Sequence, residues 1–177
     1  MVPKLESERL ICRKLSLEHC SEEYVSWLNN PQVNRYLETT GNQTLETLRS
    51  YLSSVEANPS ILFWAIHLKH NNAHIGNIKI DPINTKHGLG EYGILMGDTR
   101  EWGKGYAKEA SHLVLGYCFN SVKLRKITLG VVDEHVAATT LYKSLGFKVE
   151  GTYERHWFYE GSYLNVIRMA FFNPNII

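Results

Sequence analysis

The chain has 177 residues and a formal net charge of +1, from 19 Lys and Arg against 18 Asp and Glu. That length fits one domain with a sizeable core, and the charge makes no electrostatic case for binding nucleic acid or an acidic membrane surface. Three cysteines without a CxxC point to a reducing cytoplasm, no apolar run approaches the roughly 20 residues of a membrane span, and the start Met1-Val2-Pro3-Lys4-Leu5-Glu6 lacks the apolar segment of a signal peptide.

Residues 8–15 alternate Leu10 and Cys12 with Ile11 and Arg13 and read as a first strand. Ser16 is a helix N-cap in front of Leu17, Tyr24, Trp27 and Leu28, and Pro31 opens a second short helix. Thr44-Leu45-Glu46-Thr47 resembles a capping box, with Leu48, Leu52 and Val55 on one face of the helix that follows. Residues 61–68 and 73–80 form a hairpin turned by Asn71-Asn72. Eight histidines raise the question of a metal. HExxH is absent, however, and His67, His70 and His74 fit solvated hairpin ends. A strand over 88–96, a helix over Tyr106–Asn120, a strand over Lys126–Val132 and a helix over Val136–Leu145 follow, the last closed by Gly146. The cluster Lys123-Leu124-Arg125-Lys126 suits a helix C-terminus. Strands over 147–153 and 163–172 end the pattern. No linker or repeat interrupts it, so residues 1–177 make one α/β domain.

The most informative stretch runs from Glu91 through the glycine-bearing loop Arg100-Glu101-Trp102-Gly103-Lys104-Gly105 into the helix at Tyr106. A loop of this kind aims backbone N–H groups at one spot before a helix N-terminus, where a phosphate is stabilised by amides and dipole together. It is not a Walker A loop. Five residues separate Gly97 from Gly103, Gly105 follows Lys104, and no Ser or Thr is placed to hold magnesium. Nor is it a dinucleotide fingerprint, whose third Gly would fall at Lys108.

The remaining pattern, Arg100-x-x-Gly103-x-Gly105-Tyr106-Ala107, resembles the pyrophosphate loop of the GNAT superfamily of acyl-CoA-dependent N-acetyltransferases, especially its Rim-type branch of ribosomal-protein and amino-sugar enzymes. Downstream, Ala138, Leu141, Tyr142, Gly146 and Phe147 match the family's Asn-x-x-Ala-x-x-Leu-Tyr-x-x-x-Gly-Phe stretch, with His135 in place of the Asn. Residues 150–163 resemble the Rim-type tail, with Asn165 where that branch often has Asp.

The resemblance implies an α/β (α+β) GNAT fold, a mixed central sheet of about seven strands splayed into a V and flanked by helices. It implies acetyl-CoA as co-substrate, with pantetheine pairing to backbone at Ile94, Leu95 and Met96 and pyrophosphate on amides near Arg100 and at Trp102, Gly103, Lys104, Gly105, Tyr106 and Ala107. Side-chain charge from Arg100 and Lys104 adds to the amides. His135 can donate a hydrogen bond to the arm where the family has Asn. Tyr142 becomes the acid that protonates the leaving thiolate. Glu91, on the strand before the loop, is the candidate base, because Gly130 occupies the position where some relatives carry one. Glu38, Trp157 and Tyr159 are expected to meet the acceptor. The wording Tyr36-Leu37-Glu38-Thr39 with residues 74–80 resembles amino-sugar enzymes, so the expected reaction is acetyl transfer to a primary amine, such as a nucleotide-linked amino sugar, in a ternary complex. A protein N-terminus as acceptor and a non-catalytic CoA-binding sensor are the competing readings. No metal is expected, and a homodimer is left open.

Overall fold

The computed structural model describes residues 2–38 and 41–176. Thr39, in the amino-sugar-like wording, lies outside the described residues. The elements run β1 (Leu5–Glu6), β2 (Leu10–Lys14), α1 (Glu22–Asn29), α2 (Pro31–Asn34), α3 (Leu45–Ala57), β3 (Leu62–Leu68), β4 (His74–Asn84), β5 (Leu89–Met96), α4 (Tyr106–Asn120), β6 (Lys126–Val132), α5 (Val136–Leu145), β7 (Lys148–Tyr159) and β8 (Ser162–Phe172). The strands form one sheet of 8, in the order β1-β2-β3-β4-β5-β6-β8-β7. Among the described residues only the β5–β6 pair is parallel.

The sheet has helices on both faces, and β3 shows the consequence. All of its residues are buried, with Leu62, Trp64, Ile66 and Leu68 in the core under α4 and α5, and Phe63 and Ala65 in a second core with α1, α2 and α3. A strand covered on both sides reads as a continuous apolar run, as residues 61–68 do. Strand β5 divides the same way: Tyr92, Ile94 and Met96 face α4, whereas Leu95 faces the α1–α3 side.

Local details differ from expectation. The eighth strand is β1, two residues long and too short to show a period. Ser16 caps only a 3-10 turn, Leu17–His19, and α1 starts five residues later on Ser21, whose side chain accepts from Tyr24 N–H at 3.2 Å. Both serines precede a glutamate by one or two positions, so local chemistry alone does not choose between them. The Thr44 capping box forms as read.

His70 is exposed at the hairpin as expected, but His67 and His74 are not solvated. His67 is 5% exposed, not solvated, and the His19 turn is folded over the β3–β4 hairpin so that His19 Nε2 and His67 Nε2 lie 3.2 Å apart. His74 stacks on His67 with ring centroids 5.1 Å apart and packs edge-on against Trp27. No group of three or more His, Cys, Asp or Glu among the described residues is arranged to hold a metal. Burial pushes all three imidazoles below the ordinary histidine range, His74 to about 3. Above pH 6.5 both folded and unfolded chains are neutral at these sites. Below it the unfolded chain takes up protons that the folded one refuses, so stability falls with pH down to the folded pKa. For His74 alone the loss at pH 5 is about 2 kcal/mol. Urea midpoints at pH 7.5 and pH 5 should therefore separate clearly, and His74→Gln should narrow the gap. An equal midpoint at both pH values would contradict this.

Candidate active site

Strands β5 and β6 pair only at Leu89–Lys126, Gly90–Ile127 and Glu91–Thr128. Past Glu91 they part, which opens the expected V. The antiparallel register on the other side of β5 shows which backbone groups face the gap. Gly97 N–H donates to Ile75 O at 3.0 Å, so the flanking Gly76–Met96 pair exchanges no hydrogen bonds of its own. By alternation the backbone groups of Met96 and Ile94 turn into the V. Those of Leu95 turn toward Asn77 on β4, so its amide is not available to a pantetheine arm, and Leu95 contributes its side chain to the second core instead. Gly76 permits this close approach, since a Cβ there would lie 2.3 Å from Leu95 O.

The glycine loop continues from that edge. Asp98 caps a 3-10 turn, Thr99–Glu101, and its Oδ1 accepts from Arg100 N–H at 3.0 Å. The Arg100 guanidinium folds back on the same carboxylate at 2.8 Å and onto Glu23 at 3.0 Å. Trp102 N–H donates to Thr99 O, and its indole Nε1–H donates to Met96 O at 2.9 Å. Two expected pyrophosphate contacts are thereby revised. Arg100 and Trp102 have their amides engaged inside the turn, and the Trp102 ring ties the loop to the end of β5. The N–H groups from Gly103 to Lys108 make no hydrogen bond to any described residue. Gly103 at φ 75 and Gly105 at φ 83 set the left-handed turns that present these amides ahead of α4. The loop thus leaves the amides of Gly103, Lys104, Gly105, Tyr106, Ala107 and Lys108 open to a ligand. The Lys104 ammonium is on Glu101 at 2.8 Å, an exposed pair that a stronger anion can displace at little cost.

On the other arm, α5 carries Tyr142, 8% exposed, with its ring edge-on to Tyr92 of β5 at 5.8 Å. The Tyr142 hydroxyl makes no hydrogen bond to any described residue. Burial pushes its pKa up to about 12, so the phenol carries its proton throughout the physiological range. Gly146 at φ 103 ends the helix, and Phe147 N–H closes on Tyr142 O at 3.0 Å, which fixes the backbone beneath the tyrosine. His135 at the N-cap of α5 makes no capping bond. Its imidazole stacks on Tyr36 at 4.2 Å, and burial followed by the nearby Arg35 charge holds it below its ordinary pKa, so it is neutral near pH 7.

Glu91 stands where the V begins, on the Leu95 side of the sheet, but it does not stand free. Arg168 of β8 grips both carboxylate oxygens, at 2.8 and 3.1 Å. Gly130 makes room for that guanidinium, because a Cβ there would come within 2.9 Å of Arg168 Nη1. Arg168 had no signal in the local sequence, being 77 residues away from its partner.

Glu38, Trp157 and Tyr159 do come together. They line one open cavity of about 1060 Å³ between the α1–α2 end and the β7–β8 hairpin, with Arg35, Phe158 and Glu160. Its size suits a small-molecule site. Arg35 is the only Lys or Arg among its described lining residues, and it is paired with Glu134 at 3.4 Å. Trp157 Nε1 is buried without a partner. Strand β7 reaches this cavity because it extends to Tyr159, past a bulge at Arg155 where φ is 50. That bulge breaks the strand period and hides the extension from a pattern reading.

Comparison with known proteins places these observations. The family model described as acetyltransferase (GNAT) domain matches residues 9–148. An N-acetyltransferase p20 of Bacillus licheniformis is 29% identical over 154 residues, covering 83% of each chain. The spermidine N(1)-acetyltransferase of Escherichia coli is 36% identical over 97 residues, a stretch covering 55% of this chain and about half, 52%, of that enzyme. Among solved structures, the spermidine N-acetyltransferase of Vibrio cholerae in complex with CoA and spermine superposes with a TM-score of 0.86 at 24% identity, covering 94% of this chain and 97% of the other. The ribosomal-protein-S5-alanine acetyltransferase of Vibrio fischeri gives 0.84 at 15% identity, covering 98% of each. These two likenesses speak to the fold.

Proposed function

The chain belongs to the acetyltransferase (GNAT) domain family, an acyl-CoA-dependent N-acetyltransferase, and from that premise we propose that its acceptor is the primary amine of a flexible di- or polyamine. The observation that carries the acceptor reading is the charge of the cavity. Glu38 and Glu160 line it, while Arg35, the sole described Lys or Arg in the lining, is already on Glu134. Carboxylates there can hold the outer ammonium groups of a polyamine, and Trp157 and Phe158 supply faces for cations and alkyl links, the Tyr159 ring being already under Arg35 at 5.5 Å. The amino-sugar acceptor expected from the sequence has less support, since an amino sugar brings one ammonium for the two lining carboxylates, and a nucleotide-linked one brings phosphates that they would repel.

In this reading the amine attacks the thioester carbonyl directly in a ternary complex. The new C–N bond forms as the C–S bond breaks, and the thiolate takes the Tyr142 proton. The amine's surplus proton leaves through water and returns to the Tyr142 phenolate, which restores the acid for the next turnover. The Glu91–Arg168 fork orients that water rather than providing a free carboxylate base. The Ile94 and Met96 edge carries the pantetheine, and the 103–108 amides carry the pyrophosphate. No helix among the described residues is long and apolar enough to cross a membrane, and the three free thiols suit a reducing compartment such as the cytoplasm.

The test is kcat/KM for spermidine against glucosamine-type acceptors, with Glu38→Gln alongside. The polyamine should be preferred, and Glu38→Gln should raise its KM about ten-fold while leaving the acetyl-CoA KM alone. Higher kcat/KM for the amino sugar would overturn the acceptor assignment.

A further inference from the structure

We propose that Arg9, about a hundred residues before the glycine loop in sequence, is a positioning residue for the donor pyrophosphate; this rests on reading the 103–108 amides as the pyrophosphate cradle. The Arg9 guanidinium lies along the first turn of α4. Its Nε and Nη2 meet Glu109 Oε2 at 2.7 and 2.6 Å, and its Nη1 donates to Lys104 O at 3.0 Å. Its plane covers the Tyr106 ring at 4.5 Å. The Arg9 backbone N–H and the Ser7 hydroxyl both donate to Glu109 Oε1, at 3.0 and 2.6 Å.

Two effects follow. The first is geometric. In a trans peptide the C=O and the next N–H point in opposite directions, so holding the Lys104 carbonyl on Arg9 turns the Gly105 N–H away from it, toward the loop's open side. The second is electrostatic. Glu109 sits in the first turn of α4, where a carboxylate suits the helix dipole but repels an incoming pyrophosphate. Burial pushes the Glu109 carboxyl up, but the hydrogen bonds from Ser7 and Arg9 outweigh it and keep the group ionised, so its charge must be compensated from outside. Arg9 does that. Its side chain is 45% exposed, so its contribution to folding is small and its loss should show in donor binding.

The experiment compares acetyl-CoA with S-acetylpantetheine, which has the same thioester and no pyrophosphate, in the wild type, Arg9→Ala, Arg9→Lys and Arg9→Ala/Glu109→Gln. Arg9→Ala should raise the acetyl-CoA KM about ten-fold and the S-acetylpantetheine KM less than two-fold. The lysine variant should lose less, and adding Glu109→Gln should recover about three-fold by removing the uncompensated charge. Equal losses on both donors, or a lowered Tm with neither KM changed, would overturn the role of Arg9. A wild type that uses both donors with one KM would instead bring down the pyrophosphate reading of the loop, and the proposal with it.

Discussion

Tyr142→Phe should lower kcat by a factor of about a hundred or more while the acetyl-CoA KM stays within about three-fold. The substitution removes one oxygen and keeps the ring that packs against Tyr92 and Phe147. The hydroxyl makes no bond to a described residue in the resting enzyme, so its loss leaves no orphaned partner and little change in stability. On the proposed mechanism, what is lost is the proton donor to the leaving thiolate. Because burial holds the phenol at about 12, Tyr142 stays protonated far above neutrality, and any alkaline fall in rate below pH 9 must come from another group. Steady-state kinetics of Tyr142→Phe across pH 6 to 9 checks both points. A kcat within two-fold of wild type would remove Tyr142 from the chemistry.

Gly105→Val should act on the other substrate parameter, raising the acetyl-CoA KM by a factor of about ten or more. Gly105 has φ 83, a left-handed conformation that costs an L-residue about 1–2 kcal/mol and suits a β-branched one least. Space is not the obstacle, since a Cβ there would be no nearer than 3.6 Å to Arg9 Nη2. Relief of the strain would rotate the peptide units on either side and swing their amides out of the cradle. Gly161→Val provides the control. Gly161 has nearly the same φ, 81, in the β7–β8 turn, with nothing within 4 Å of a Cβ. It should strain the backbone comparably and leave the donor KM unmoved. Equal effects at both glycines would mean that the loop responds to general destabilisation and not to lost amide geometry.

Where structure depends on neighbours in the chain, reading from residues succeeded. The apolar run of β3, the Thr44 capping box, the left-handed stop at Gly146 and the glycine loop before α4 are each set by local dihedrals or by alternation. Misses collect where the deciding partner is remote. His67 reads as a hairpin end until the His19 turn, 48 residues earlier, folds over it. Glu91 reads as a lone carboxylate until β8 brings Arg168 alongside, and Arg9 shows nothing of its hold on Glu109. Within the loop itself the motif identified the segment but not the division of labour in it. Asp98 takes the Arg100 amide through an Asx-type turn, a signal that the Asp-Thr-Arg spacing did contain. The acceptor side was legible only as residue types. Chemistry singles out Glu38, Trp157 and Tyr159 in the sequence, and their meeting in one cavity depends on how far β7 runs.

Acetyl transfer from acetyl-CoA to an amine is read out in a single assay of the products. The protein is incubated with acetyl-CoA and a panel of polyamines, amino sugars and N-terminal peptides, with thiol release and the mass of each amine followed together. One acetyl group should appear on a primary amine of a polyamine for each CoA thiol released. Binding of CoA with no amine acetylated would contradict it and leave a CoA sensor built on the acetyltransferase fold.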